Sequence, residues 1–168
     1  MTHLFAPRSS EPEIPVFFNV DEGVGANPAR NIREDVLLVQ FAFEVIARRP
    51  VPSTPPEVLA TAKLVRSTSD IDPATTSAIF AFRRNRPSKE IIVDGRVSPA
   101  RGDGYSYGGG ALWTIVHLNN SIQNRYVDDW PRIDRIPGCP AELKTDGGSK
   151  SGRHISDEGD LNSLNYLA

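Results

Sequence analysis

The chain has very little cysteine and methionine, with one residue of each among 168. Its single cysteine, Cys139, has no second thiol to pair with, so an internal disulfide scaffold is excluded. No apolar run approaches the roughly 20 residues that a transmembrane helix needs. The first residues, MTHLFAPRSSEPEIP, lack a basic start followed by an apolar stretch, so we expect no signal peptide. We expect a soluble chain made in the cytoplasm, which would reach the outside only as part of a particle or secretion machine.

An excess of charge of one sign is also missing, because the formal net charge is only -2 and both signs are mixed along the chain. Nucleic-acid binders usually carry a dense basic patch, so we expect neither a nucleic acid nor a membrane as partner. The apolar content of 39% is slightly low for a globular domain. One domain with extensions at both ends fits this length and composition.

The usual signatures of catalysis and metal binding are missing as well. The three histidines, His3, His117 and His154, are far apart, and no HExxH or paired Cys/His spacing exists. Cys139 lies in the segment IPGCPAE with no local histidine, which favours a loop cysteine over a nucleophile. There is no G-x-S-x-G motif. We therefore predict no enzyme activity, no catalytic residue, no metal and no cofactor.

A glycine-rich stretch at 102–110 is the most unusual segment that is present. Its glycines do not fit a dinucleotide loop, because one residue too many precedes Gly108 and no second strand follows. A flexible connection that uses the conformational freedom of glycine is the better interpretation. Tyr105 and Tyr107 lie within it, and their rings could stack on a ligand such as a sugar.

Four segments have the apolar periodicity of helices. The clearest is 31–50, where Asn31 is the predicted cap, Glu34 completes a capping box, and the broad apolar face indicates a central buried helix. A second helix is predicted to begin with Thr54 as cap and Pro55 at its first position. A third begins with Asp72 as cap, and a fourth covers 111–126.

The segment EIIVDGRVSP, 90–99, predicts a short extended stretch with a turn at Asp94-Gly95. The basic cluster FRRNRP, 82–87, has two interpretations: solvated charges that complement a helix end, or a contact with a carboxylate.

Four motifs in register carry a family resemblance: EDVLLVQ at 34–40, IDPATTSAIFAF at 71–82, IIVDGRVSP at 91–99, and WTIVHLN at 113–119. Together they resemble the peptidoglycan-binding-like domain family of small three-helix modules. The resemblance covers about 26–126. It implies a mainly α fold of three to four helices with a short extended segment, flanked by an irregular N-terminal arm at 1–25 and an irregular C-terminal extension at 127–168. It also implies that Val93 and Val97 are buried between the helices, and that the glycine-rich stretch is an enlarged turn into the last helix.

The resemblance implies a non-catalytic module that recognises cell-wall glycan or stem peptide. Arg83 replaces the family's usual glutamine, which means either an altered contact or a lost ligand. The residues expected to bind are Arg83, Arg96, Tyr105, Tyr107 and Trp113, because aromatic faces suit sugars and arginines pair with peptide carboxylates.

A second hypothesis is a structural or assembly protein that reuses this fold in a phage particle, an injection machine or a secreted complex. The C-terminal extension is rich in polar residues and has scattered apolar anchors, so it could pack on its own domain or on another subunit. The partner would then be peptidoglycan or another protein subunit, in a homo- or hetero-oligomer.

Overall fold

In the computed structural model, the residues that the structure describes are 3–5, 16–86, 93–100 and 113–144. Within these residues the chain is mainly helical. The strands are β1 (His3–Phe5), β2 (Phe17–Asn19), β3 (Val24–Gly25) and β4 (Arg96–Val97). The helices are α1 (Arg33–Arg48), α2 (Pro56–Ala62), α3 (Pro73–Arg84) and α4 (Thr114–Gln123), and two single 3₁₀ turns follow at Ile133–Arg135 and Ala141–Leu143. No helix of the described part is long and apolar enough to cross a bilayer.

The central helix α1 is buried along most of its length, as its broad apolar face predicts. The predicted cap is wrong. Helix α1 begins at Arg33 with Ile32 in the cap position, and no side chain caps it. Asn31 instead takes a positive φ of 52°. Its Oδ1 accepts from the backbone N–H of Gly25 at 2.7 Å, and its Nδ2 donates to the Gly25 carbonyl at 3.1 Å. The Asn31 amide therefore holds strand β3, six residues earlier in the chain. Helix periodicity does not indicate this contact.

The starts of the next two helices were predicted with different success. Helix α2 begins at Pro56 with Pro55 as cap, one residue later than predicted. The Thr54 hydroxyl instead accepts from the Val51 N–H at 3.1 Å and so closes the preceding turn. The cap of α3 is confirmed, because the Asp72 carboxylate accepts from the Thr75 N–H at 2.6 Å.

The turn at Asp94-Gly95 is confirmed, and Gly95 has the positive φ of 67° that such a turn uses. After it, β4 pairs antiparallel with β3, and Val97 lies opposite Val24. Val97 is fully buried, but the predicted burial of Val93 is wrong, because 46% of that residue is exposed. Val93 precedes the turn and does not belong to the strand that the turn directs into the core.

The apolar core extends across both predicted boundaries, at 25 and at 126. Phe17 and Val20 from the N-terminal side are buried in the same cluster as the helices. Ile136 and Leu143 from the C-terminal side are buried there too. The described part of the C-terminal extension, 127–144, therefore packs on its own domain. Helix α4 packs on α1 and β2.

Three buried side-chain amides, those of Asn19, Gln40 and Asn119, bind backbone groups that are distant in the sequence, and we call these residues the amide clamps. Asn119 accepts from the Phe18 N–H at 2.8 Å and donates to the Phe18 carbonyl at 2.9 Å. Asn19 makes the same pair of bonds to Ala100, at 2.9 and 3.0 Å. Each amide replaces the backbone partner that a neighbouring strand would have supplied.

Candidate functional site

Two of the residues expected to bind a ligand, Arg83 and Arg96, converge on Asp94. The Arg83 guanidinium lies 3.3 Å from Asp94 and also donates to the Arg96 carbonyl, with 10% of its side chain exposed. Arg96 binds the same carboxylate through Nε at 3.0 Å and a terminal nitrogen at 2.9 Å. Burial lowers the pKa of Arg83, while Asp94 opposes that shift. Arg83 therefore supports the turn before β4 from beneath, and Arg96 is the more accessible of the two.

Arg96 and Trp113 line one shallow groove of about 350 Å³. We call it the Trp113 groove. Trp113 directly precedes α4 and packs partly against the core, which fixes its ring. The side chain of Arg96 is 35% exposed. The groove's other principal lining residues are Glu22, Arg30, Ser98 and Pro99.

Arg30 is a groove residue that sequence reasoning missed. Its side chain is 71% exposed and is paired with Glu22 at 2.8 Å. An exposed pair of this kind contributes little to stability, so either partner can exchange to a ligand. No sequence pattern indicates Arg30 as a binding residue, because the loop that contains it meets Arg96 and Trp113 only in the folded chain. The other two residues expected to bind, Tyr105 and Tyr107, lie outside the described residues.

Cys139 has the character expected of a structural thiol. It is buried in the core cluster. Burial raises the pKa of its thiol to about 11, so the group is protonated at neutral pH. A protonated thiol is a poor nucleophile, which agrees with the loop interpretation of its sequence.

Asp35 is a fully buried carboxylate at the start of α1. Its Oδ2 accepts from the N–H groups of Asp21 and Glu22 at 3.1 and 2.9 Å. Its Oδ1 has no hydrogen-bond partner among the described residues. Burial raises the pKa of Asp35, although the two backbone bonds oppose the shift. The group fixes the loop that precedes β3 and leads to the Trp113 groove.

The raised pKa of Asp35 makes a testable contribution to the pH dependence of stability. The folded state holds this proton more tightly than the unfolded state, so this contribution falls as pH rises through the folded pKa. Asp35→Asn removes it. We therefore expect the unfolding free energy of Asp35→Asn, relative to that of the wild type, to increase from about pH 4.5 to about pH 8. Urea denaturation across this range measures it, with the exposed neighbour variant Glu34→Gln as control. A constant difference would contradict the assignment.

Chemically, the Trp113 groove offers an apolar ring face, two guanidinium groups, the carboxylate of Glu22 and a hydroxyl. No group of three or more His, Cys, Asp or Glu side chains suited to a metal ion occurs within the described residues. The guanidinium groups and the hydroxyl can bind carboxylate and hydroxyl groups of a ligand. Comparison of the chain with protein-family models, curated proteins and solved structures found no match.

Proposed function

We propose that this chain is a non-catalytic binding module that recognises cell-wall glycan or stem peptide through the Trp113 groove. One observation carries the proposal: Arg96 and Trp113, selected from the sequence as binding residues, line the same groove. The resemblance of the four sequence motifs to peptidoglycan-binding domains supplies the ligand class. The mainly helical architecture is compatible with that family.

The chemistry of the groove suits such a ligand. A sugar presents C–H groups that pack on an aromatic face, so Trp113 would bind the glycan. A stem peptide ends in a carboxylate, which a guanidinium binds through paired hydrogen bonds. Asp94 holds Arg96 in a fixed orientation, at 2.9 Å, which reduces the entropy lost on binding. Arg30 would exchange Glu22 for the ligand carboxylate.

The test is co-sedimentation of the purified chain with insoluble peptidoglycan sacculi. We expect saturable binding, weakened by about fivefold to tenfold in Trp113→Ala and in Arg30→Ala. Arg132→Ala is the control for Arg30→Ala, because Arg132 is also an exposed arginine paired with a carboxylate, that of Asp134 at 3.0 and 2.9 Å, and it lies outside the groove. Wild-type binding by both groove variants would contradict the proposed site. Failure of the wild type to bind would contradict the proposed function.

A structural or assembly role is the second candidate, and exposed apolar side chains favour it. Leu64 is 64% exposed and Val127 is 67% exposed. Light scattering of the same sample separates the candidates: a defined oligomer that binds no sacculi supports assembly. The informative truncation lies after Lys144, because an earlier one would remove the buried Ile136 and Leu143 and so damage the fold. An oligomer that survives this truncation would show that residues 145–168 do not carry the contact.

A further inference from the structure

A second pocket, of about 330 Å³, lies between the loop 51–55, the end of α3 and one face of α4. We call it the Arg125 pocket. It has no lining residue in common with the Trp113 groove. Its volume is at the lower end of the range for small-molecule sites. The polar residues that line it include Thr54, Asn85, Arg86, His117, Asn120 and Arg125.

Arg125 is the unusual group of this pocket, because it is a buried cation that pairs with no carboxylate of the described residues. Only 7% of the residue is exposed. Nε donates to the Arg49 carbonyl at 2.7 Å, and the terminal nitrogens donate to the Ser121 carbonyl at 2.8 Å and the Thr54 hydroxyl at 2.9 Å. All three acceptors are neutral, and no described carboxylate forms an ion pair with Arg125. Buried charges in proteins are normally paired.

The three bonds fix the guanidinium but do not neutralise it. The Arg49 and Ser121 carbonyls lie at the ends of α1 and α4, where the helix dipoles give partial negative charge. That partial charge lowers the cost of burying the cation. A guanidinium has five N–H groups, and these bonds use three of them. Two N–H groups therefore remain to donate to an incoming acceptor.

The remaining charges around the pocket also favour an anion. None of its described lining residues is Asp or Glu, whereas a second arginine, Arg86, lines it together with Arg125. The Arg86 guanidinium stands 4.3 Å over the ring of Phe82. Glu57 accepts from the lining residue Asn85 at 3.0 Å, but it is also paired with Arg84, which offsets its charge.

We propose that the Arg125 pocket binds a small sugar derivative that carries one oxyanion group, a carboxylate or a phosphate. The oxyanion pairs with Arg125, since carboxylate and phosphate both match the planar donors of a guanidinium. The amide and hydroxyl groups of the pocket, such as those of Asn120 and Thr54, bind the sugar hydroxyls. This site is independent of the Trp113 groove and of the cell-wall proposal.

The test measures binding of defined probes to the full chain by calorimetry at constant ionic strength. The probes are glucuronate and glucose 6-phosphate, with glucose as the uncharged control. We expect saturable binding of at least one acid, with a Kd below about 1 mM, and binding of glucose at least about tenfold weaker. Glucuronate alone would identify a carboxylate site, and glucose 6-phosphate alone a phosphate site.

Variants decide whether the pocket is responsible. Arg125→Gln removes the charge, but it also removes bonds that hold α1 and α4. Asn120→Leu is therefore the principal variant, because it keeps the size of the side chain and leaves the Arg125 bonds intact. We expect about tenfold weaker binding of the acid, against no change in Gln123→Leu, an equivalent exchange on α4 outside the pocket. Binding of neither acid by the wild type, or equal binding by Asn120→Leu, would overturn the proposal.

Discussion

Replacing Gly25 by alanine is expected to destabilise the fold by about 3 kcal/mol or more. Gly25 has a φ of 127°, a backbone conformation that a residue with a Cβ atom rarely adopts. An added Cβ would also overlap the carbonyl oxygen of Gly95 and lie 3.1 Å from the Arg96 Cα. Both neighbours are backbone atoms of the paired turn and strand, so they cannot move aside without breaking the pairing of β3 with β4.

Gly23 provides a matched control two residues away. A Cβ there would meet only Ala29, at 3.7 Å, an ordinary van der Waals distance. We expect Gly23→Ala to stay within about 0.5 kcal/mol of the wild type. Chemical denaturation followed by circular dichroism measures both variants. If Gly25→Ala were as stable as Gly23→Ala, the close approach of β3 to the turn at Gly95 would be incorrect.

Replacing Gln40 by leucine is expected to cost about 3 to 5 kcal/mol. Gln40 is fully buried in α1. Its Oε1 accepts from the N–H groups of Thr68 and Ser69 at 3.0 and 2.9 Å, and its Nε2 donates to the Asp70 carbonyl at 2.9 Å. Leucine would fill the space but leave these backbone groups without a partner. Ser69 has a positive φ of 63°, so the loop also depends on this amide for its conformation.

Gln40→Glu separates lost hydrogen bonding from lost packing. Glutamate keeps an acceptor for the two N–H groups, but its second oxygen faces the Asp70 carbonyl and can bind there only when protonated. Burial and this carbonyl would raise its folded pKa, so its stability deficit should shrink as pH falls from about 8 to about 5. The deficit of Gln40→Leu should stay constant over the same range. Parallel curves for the two variants would contradict this account.

Local signals in the sequence predicted most of the helices. The apolar spacing of α1 and the Asp72-Pro73 start of α3 each depend on residues within one or two turns, and both are found as expected. The turn at Gly95 could also be predicted, because the Asp94-Gly95 pair is a local turn signal. Such features can be predicted because their energetic causes lie within a few residues of one another.

The features that were predicted wrongly or missed depend on contacts of the folded chain that residue type and helix periodicity do not indicate. Asn31 is a residue type that often caps helices, but its side-chain amide forms hydrogen bonds with the backbone of Gly25. Val93 lies in a β-branched run typical of a buried strand, but the residue precedes the turn and is 46% exposed. The Arg125 pocket joins Thr54 to a residue 71 positions later. No local pattern in a single sequence indicates a contact across such a distance.

Two of the amide clamps, Asn19 and Asn119, can form their bonds only after a large part of the chain has been synthesised. Asn119 holds the backbone of Phe18 across 101 residues, and Asn19 holds Ala100 across 81. Strand β2 therefore leaves the ribosome long before Ala100 and Asn119 have been synthesised. Contacts so distant in sequence form slowly and late. Until α4 has been synthesised, the Phe17 and Phe18 side chains stay exposed to solvent or make only transient contacts. We therefore expect a stalled chain that ends before Asn119 to aggregate or to bind chaperones through these side chains.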